Sequence, residues 1–343
     1  MPFKINGAER PTIDQVSPRA AIPGGDIQIR GSHFLAAPRP LVSIGAVSAP
    51  LVVGSDRYVV ARVPEGAGDG RLVVSNGEKE SAPLPFAVGA LVADNLHPVT
   101  SPAVGPDGSV YTTFSGSRGQ KTPVAVYRID PVGGVSPYLT DLMNATALAF
   151  DQEGVLYISS RFDGVVYRST ASGVMSVYCE SMGVATGIAF DPKGDLYVGD
   201  RSGTIFKISE GGQGIYVFAT LEPSIAAYHM AFGPQGYLYV TGPTTSSFDC
   251  VQRISPEGEV EVYFRGLGRP QGLAFDAEGN LYVSASLAGR KGIVRITPER
   301  EASLFLSGPN IVGLAFAPGG DLMVTTTGAL YRVPAGIAGR PLP

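Results

Sequence analysis

The sequence is poor in the residues that build disulfide frameworks and metal centres. Its 343 residues include no tryptophan, three histidines and two cysteines, Cys179 and Cys250. Neither cysteine stands in the CxxC spacing that is typical of metal sites, and two are too few for a disulfide framework. We therefore expect two buried, free thiols.

The chain also lacks long apolar runs and any strong excess of charge of one sign. No run approaches the roughly 20 apolar residues that a membrane helix needs, so we expect no membrane span. The 26 basic and 30 acidic residues are interspersed without a basic stripe, which argues against nucleic acid as a partner. The first residues, MPFKINGAERPTIDQ, hold no apolar segment typical of a signal peptide. We therefore expect a cytoplasmic protein, or an extracytoplasmic one if a leader has been removed.

What the sequence does contain is glycine, proline and a repeat. The 45 glycines and 28 prolines suit many tight turns. The stretch GLAFDAEGNLYVS from Gly272 has a close copy, GIAFDPKGDLYVG, from Gly187, and related stretches bring the number of copies to six. Their equivalent apolar positions are Val104, Phe150, Phe190, Phe232, Phe275 and Phe316. Each copy continues into two further strands, and four antiparallel strands at a period of about 40 to 46 residues predict a β-propeller blade.

The last copy points to the way in which the ring closes. It ends with ALYRVPA and leaves too few residues for a fourth strand. The segment ALVADNL, residues 90–96, precedes the first copy and has the character of a fourth strand. We therefore predict a six-bladed β-propeller that strand 90–96 closes by pairing with strand 329–333, which removes both exposed sheet edges.

Residues 1–88 do not follow the repeat. They contain about seven short strands with Gly and Pro turns, which predict a small immunoglobulin-like β-sandwich. The expected fold is therefore all-β, with a sandwich domain at 1–88 and a propeller domain at 89–343. The last sandwich strand, LPFAV, ends at Val88 and the closing strand starts at Ala90. Such a short connection is no flexible tether, so we expect a fixed orientation between the domains.

Both regions resemble known families. The segments GGDIQIRGSHF, VSIG, ARVP and SNG resemble the IPT/TIG family, whose members mostly serve as spacers or protein-contact modules. The stretch RPQGLAFDAEGNLYVS makes the propeller similar to NHL-repeat propellers and to gluconolactonase-like proteins of the regucalcin type. The second resemblance implies one divalent cation in the central channel, held by carboxylate and amide oxygens.

This sequence departs from the ligand set that the resemblance implies. The corresponding positions are Thr100, Thr186, Tyr228 and Gln271, and Thr146 and Val312 complete the ring. No position carries a carboxylate, and a hard cation needs such oxygen donors. The three histidines, His33, His97 and His229, are too scattered to make a zinc site. We therefore expect no metal, no cofactor and no assigned catalytic residue.

Polar residues gather instead at the end of the propeller where the first strands begin. His229 is unusual there, because the other repeats carry Ser, Ala or Gly at its position. The candidate ligand- or partner-binding residues on this axial face are Tyr228, His229, Arg269, Gln271, Asp200, Arg201, Asn144 and Asn310. We expect Tyr228 and Arg269 to act as anchors whose replacement by alanine leaves the fold intact. The alternative is a set of solvated loop residues with one structural histidine.

Two classes of function remain open. The first is a non-catalytic binding or scaffold protein, with the propeller as platform and the sandwich as docking module, as an accessory subunit of a larger assembly. It would bind a protein partner, with a small molecule or sugar as a second kind of ligand in the axial channel. The alternative is a lactonase-like hydrolase or lyase with an altered channel site. The missing carboxylates favour the first class.

Overall fold

The computed structural model describes residues 9–35, 39–68, 70–246 and 249–341. Within these residues, regular structure consists of β-strands and three short 3-10 turns, at Glu210–Gly212, Pro234–Gly236 and Pro318–Gly320. No helical segment in this part of the chain is long and apolar enough to cross a bilayer. The protein is therefore all-β, as the sequence predicts.

The N-terminal strands form a two-sheet sandwich. They are β1 (Thr12–Ser17), β2 (Ala20–Ala21), β3 (Asp26–Ser32), β4 (Leu41–Ile44), β5 (Val47–Ala49), β6 (Leu51–Gly54), β7 (Tyr58–Arg62), β8 (Gly70–Ser75) and β9 (Leu84–Val88). One sheet has the order β1-β3-β7-β6 and the other β2-β9-β8-β4-β5. Alternate residues of the paired strands β3 and β7, including Ile27, Ile29 and Val59, are fully buried between the sheets. This alternation of buried and more exposed positions is the signal that the sequence carries for a sandwich.

The remaining strands begin directly after the sandwich. They are β10 (Ala90–Ala93), β11 (Ala103–Val104), β12 (Val110–Thr113), β13 (Val126–Ile129), β14 (Val135–Leu139), β15 (Ala145–Phe150), β16 (Leu156–Ser160), β17 (Val165–Ser169), β18 (Met175–Cys179), β19 (Ala185–Phe190), β20 (Leu196–Asp200), β21 (Thr204–Ser209), β22 (Gly214–Thr220), β23 (His229–Phe232), β24 (Leu238–Thr241), β25 (Cys250–Ile254), β26 (Val260–Arg265), β27 (Leu267–Gly268), β28 (Leu273–Phe275), β29 (Leu281–Leu287), β30 (Arg290–Ile296), β31 (Ala302–Ser307), β32 (Ile311–Phe316), β33 (Asp321–Thr326) and β34 (Leu330–Pro334).

These strands form the six blades of a closed propeller. Blades I to IV are the sheets β11–β14, β15–β18, β19–β22 and β23–β26; blade V contains β28–β31, with β27 also paired to β29. Blade VI has the order β10-β34-β33-β32, and Ala90 of β10 lies opposite Arg332 of β34. The first strands contact one another in sequence, and β32 of blade VI contacts β11 of blade I. The predicted closure of the ring by the strand that begins at Ala90 is therefore confirmed.

A repeated tyrosine in the second strands of blades I to V packs against the next blade. In blade II, the ring centroid of Tyr157 lies 4.9 Å from that of Tyr178 in the same blade and 4.8 Å from that of Phe190 in blade III. Edge-to-face contacts between blades recur at five of the six interfaces, with centroid distances of 4.7 to 5.3 Å. At the sixth interface, Met323 and Val104 replace the tyrosine and the phenylalanine, and Met323 lines a cavity of about 320 Å³ between blades VI and I.

The repeated aspartate of the motif is a turn residue. Gly154 has a φ of +77°, which glycine adopts without strain, and its N–H donates to the carbonyl oxygen of Asp151. The Asp151 carboxylate also accepts a hydrogen bond from the N–H of Val155, at 2.8 Å. Asp191 and Asp276 make the equivalent bonds in blades III and V. The repeated motif therefore builds blades and carries no chemistry of its own.

The sandwich and the propeller share a continuous β-sheet. Strand β2 pairs in parallel with β9 of the sandwich and with β31 of blade V, so that Ala20 lies opposite both Ala87 and Leu306. Next to this strand, Ile22 is buried in the same apolar cluster as residues of blades V and VI. The Arg290 guanidinium of blade V donates to the backbone carbonyl of Ser17, at 2.5 Å. This pairing supports the expected fixed orientation of the two regions.

The two cysteines lie in the predicted strands. Cys179 ends the fourth strand of blade II, and Cys250 begins the third strand of blade IV. Both thiols are buried and free. Desolvation raises the pKa of Cys179 to about 12, so this thiol stays protonated at neutral pH.

Candidate functional site

One end of the propeller carries the loops that precede the first strands and the loops that follow the second strands. The pairing of Ala145 with Ser160, and of Ala185 with Asp200, puts both kinds of loop at the same end. We call this end the axial face; its loops comprise residues 94–102, 114–125, 140–144, 161–164, 180–184, 201–203, 221–228, 242–246, 249, 266, 269–272, 288–289, 308–310 and 327–329. All eight candidate residues lie in these loops or at the strand ends next to them. The structure thus brings them to one end of the ring, but it buries some and exposes others.

Tyr228 is a core residue, and its burial argues against the predicted role of its side chain as a binding anchor. Its side chain is 2% exposed and packs in the apolar cluster between blades III and IV. Its hydroxyl donates to the backbone carbonyl of Glu222, and its backbone N–H donates to the hydroxyl of Thr186, at 3.2 Å. Desolvation, with the nearby charges of Asp200 and Glu222, raises its pKa to about 12. Replacement by alanine would open a cavity, which contradicts the prediction that the fold stays intact.

His229 is buried at the start of the first strand of blade IV. It is 7% exposed, and its Nδ1 has no hydrogen-bond partner among the described residues. Desolvation lowers its pKa to about 4, so the imidazole is neutral at pH 7. Asp200, in blade III, accepts hydrogen bonds from the N–H of Val184, at 2.7 Å, and from the Ser202 hydroxyl. These bonds make Asp200 a loop-organising residue, and they do not join it to His229 as an acid–base pair.

The threonines of the inner ring are bound to the backbone. The Thr100 hydroxyl donates to the carbonyl oxygen of Thr146, at 2.6 Å, and the Thr146 hydroxyl donates to that of Asn144, at 3.0 Å. The Thr186 hydroxyl donates to the carbonyl of Gly199, at 2.8 Å. A hard divalent cation prefers several carboxylate or carbonyl oxygens that point at it, and these hydroxyls do not provide them. Within the described ranges, no three His, Cys, Asp or Glu side chains are grouped as a metal site would require.

The first strands of blades V, VI and I approach one another closely next to this ring. A Cβ atom placed on Gly272 of blade V would lie 2.5 Å from the Cα of Gly313 and 2.5 Å from the hydroxyl of Ser101. A Cβ atom on Gly313 would in turn lie 2.3 Å from the Cα of Ser101. The first strands of blades V, VI and I therefore leave no space for side chains at Gly272 and Gly313.

The backbone conformation explains why asparagine stands at both candidate asparagine positions. Asn144 and Asn310 have φ values of +50° and +55°, in the left-handed region that asparagine tolerates better than most residues. Arg269 occupies the same kind of conformation, with φ of +49°, and its backbone N–H donates to the Asp249 carboxylate, at 2.8 Å. The side chains of Arg269 and Asn310 are exposed, and Gln271 is partly buried.

Asn144 also organises the long loop of blade I. Its side-chain NH₂ donates to the carbonyls of Gly116 and Ser117, at 3.1 and 3.0 Å. Its side-chain oxygen accepts a hydrogen bond from the N–H of Gly119, at 2.7 Å. Asn144 therefore fixes the backbone on both sides of Arg118.

Three arginines, Arg118, Arg161 and Arg201, follow the second strands of consecutive blades on the axial face. Arg161 of blade II donates from its guanidinium to the carbonyl of Gly116, at 2.7 Å, which brings it against the loop of Arg118. Desolvation lowers the pKa of Arg161, and the positive charges of Arg201 and Arg118 lower it further. The candidate set contains Arg201 but omits Arg118 and Arg161. Arg161 and Arg201 occupy equivalent positions, directly after the second strands of blades II and III. This equivalence was the signal for the cluster in the sequence.

Two cavities lie at the other end of the propeller. One of about 320 Å³ lies between blades VI and I and is lined by Pro106 and Pro318. Another of about 290 Å³ lies between blades II and III and is lined by Asp151 and Lys193. Both are formed by loops at the end of the ring opposite the axial face, so they do not belong to the candidate site.

Comparisons with known proteins agree with the two-part fold. The family model of the IPT/TIG domain matches residues 11–88. An auxiliary nutrient binding protein from Bacteroides thetaiotaomicron is similar over 97% of this chain and 98% of its own, with 15% identity and a TM-score of 0.55. Regucalcin, a calcium-binding protein from Agrobacterium tumefaciens, is similar over 74% of this chain and 96% of its own, with 17% identity and a TM-score of 0.60. Virginiamycin B lyase from Staphylococcus aureus is similar over 74% of this chain and 86% of its own, with 19% identity and a TM-score of 0.53.

These likenesses concern the fold. The family match is confined to residues 11–88. The propeller shares its architecture with binding proteins and with enzymes, at identities too low to transfer an activity. No curated protein matches the sequence. The function therefore has to be inferred from the residues of the site.

Proposed function

We propose that the protein is a non-catalytic binding protein. The propeller is its platform, the axial face carries the ligand, and the sandwich is a rigid docking module that joins it to a larger assembly. The observation that carries this proposal is the inner ring. Its threonine hydroxyls donate hydrogen bonds to backbone carbonyls, as those of Thr100 and Thr146 do. A cation-dependent lactonase needs oxygen ligands that are free to bind the cation.

Two further features support binding over catalysis. The one unusual histidine, His229, is neutral at pH 7 and has no carboxylate partner among the described residues to make it a general base. The face around the axis combines exposed cationic and amide side chains, among them Arg269 and Asn310. Such groups can hold a ligand without reacting with it.

The proposal extends to the kind of ligand and the domain division. Similarity in fold over nearly the whole chain to a nutrient binding protein favours a small molecule or a sugar on the axial face. A protein partner would contact the sandwich, as IPT/TIG modules commonly do. The boundary between 1–88 and 89–343, and the cytoplasmic location, stay predictions.

An assay of lactone hydrolysis tests directly whether the protein lacks catalytic activity. Purified protein is incubated with glucono-1,5-lactone and Ca²⁺, Mn²⁺ or Zn²⁺, and acid release is followed together with the metal content after gel filtration. We expect hydrolysis at the uncatalysed rate. Turnover that saturates with lactone and disappears with a chelator, in protein that retains one metal ion per chain, would establish the lactonase-like alternative instead.

A further inference from the structure

The arginine cluster on the axial face is built from three separate loops. Arg118 lies in the loop after the second strand of blade I, and Arg161 and Arg201 follow the second strands of blades II and III. Arg161 is tied to the loop of blade I by its bond to the Gly116 carbonyl, at 2.7 Å. Arg201 is tied to the loop between blades III and IV by its bond to the Ile225 carbonyl, at 3.2 Å. Backbone carbonyls therefore hold two of the guanidinium groups in place before any ligand arrives.

The protein does not neutralise these three charges. Among the residues that the structure describes, none of the three arginines forms an ion pair with a carboxylate, and the Nε of Arg161 is buried without a partner. Other arginines of the propeller are paired, such as Arg128 with Asp107, at 2.8 Å. The positive charges of Arg118 and Arg201 disfavour the charged form of Arg161, and a bound anion would compensate this repulsion.

The acidic residues on the same loops are engaged with local donors. Asp163 accepts hydrogen bonds from the hydroxyl of Tyr167, at 2.7 Å, and from the N–H of Val165. Asp200 accepts hydrogen bonds from the N–H of Val184, at 2.7 Å, and from the Ser202 hydroxyl. Neither carboxylate is bonded to an arginine of the cluster. The positive charge is thus a local feature of a chain whose net charge is −4.

Exposed apolar side chains flank the cluster. Phe162 directly follows Arg161, is 45% exposed and lies against Gly119 of the neighbouring loop. Ile225, whose carbonyl binds Arg201, is 59% exposed. An aromatic ring beside guanidinium groups suits a ligand that carries an anionic group next to an apolar surface, such as the face of a sugar ring.

We propose that Arg118, Arg161 and Arg201 form an oxyanion site for a small acidic ligand, a sugar that carries a carboxylate or a sulfate ester. The guanidinium forks bind the anionic oxygens, and Phe162 covers the apolar face of the ring. Asn144 is a positioning residue, since it fixes the loop of Arg118. This inference rests on the proposed binding function and names its ligand class.

Calorimetric titration of the full chain at low salt tests this inference with paired probes. Glucose 6-sulfate is compared with glucose, and trigalacturonate with maltotriose, so that each anionic sugar has a neutral counterpart. We expect at least one anionic probe to bind at least tenfold more tightly than its counterpart, and binding to weaken as salt rises. The pair that shows the difference identifies sulfate or carboxylate as the group.

Variants locate the site. Arg161→Gln and Arg201→Gln should each weaken binding of the anionic probe at least tenfold while thermal unfolding stays as in the parent. Arg168→Gln is the matched control, because Arg168 lies in the same blade, near the cavity at the opposite end. It should bind the probe as the parent does. Phe162→Leu should weaken the sugar probes more than inorganic sulfate.

Each contrary result has one meaning. Equal affinity for charged and neutral sugars, no binding of either anionic probe, or equal losses in Arg161→Gln and Arg168→Gln would overturn the oxyanion site. The first of these would leave the proposed binding function standing. Lactone turnover would overturn the proposed function whether or not anions bind.

Discussion

Acidification should destabilise the protein through His229. The folded-state pKa is lowered to about 4, from 6.5 for a free histidine, so the unfolded chain takes up the proton more readily. The stabilising contribution is fully present above pH 6.5, is lost as the pH falls towards 4 and then levels off. Linkage gives a loss of about 2 kcal/mol between pH 7 and 5 and about 3 kcal/mol by pH 4.

The assay compares the free energy of unfolding in denaturant for the parent and for His229→Leu, at intervals from pH 7 to 4. Carboxylates also titrate in this range, so the difference between the two proteins isolates the histidine. At pH 7 the variant should be at least as stable as the parent, because the buried Nδ1 has no partner to lose.

Parallel profiles for the parent and His229→Leu would refute the reasoning. They would mean that the imidazole gains a hydrogen bond or water that keeps its charged form accessible. A variant that is several kcal/mol less stable at pH 7 would show that the histidine makes stabilising contacts through its polar atoms.

Three further predictions follow from burial. Tyr228→Ala should lower the free energy of unfolding in denaturant by about 3 to 5 kcal/mol, and unchanged stability would contradict its place in the core. Cys179 and Cys250 should resist alkylation at pH 8 in the folded protein and react together after denaturation; rapid labelling of the native protein would contradict their burial. Ile22→Ala should cost about 2 to 5 kcal/mol in thermal or denaturant unfolding and destabilise the propeller as well as the sandwich, because this side chain packs against both. Loss confined to the sandwich would show that the two regions unfold independently.

The fold was predictable because the repeat contains the residues that pack between the blades. At five of the six interfaces, a phenylalanine of one first strand meets a tyrosine of the preceding blade's second strand, as Phe190 meets Tyr157. The glycine after each aspartate marks the positive φ of the turn, as at Gly154. Closure by the strand from Ala90 followed from counting strands, since an unpaired edge would otherwise remain.

The site was less predictable because loop residues have no periodic signal. Tyr228 looks like an aromatic anchor in the sequence, and only the packing of blades III and IV reveals that it is buried. Arg118 belongs to a loop whose length differs from that of its counterparts, so its approach to Arg161 depends on the bonds made by Asn144. The pairing of Ala20 with blade V joins residues far apart in sequence, and two alanines give no sign of it.

Hydrogen–deuterium exchange of the full chain, with and without saturating trigalacturonate or glucose 6-sulfate, tests the binding role of the axial face most directly. We predict protection of residues 114–125, 161–164 and 201–203, with no change in the loops at 151–155 and 191–195 of the opposite end. Protection confined to those opposite loops or to the sandwich strands, with the axial loops unchanged, would contradict the assignment of ligand binding to the axial face.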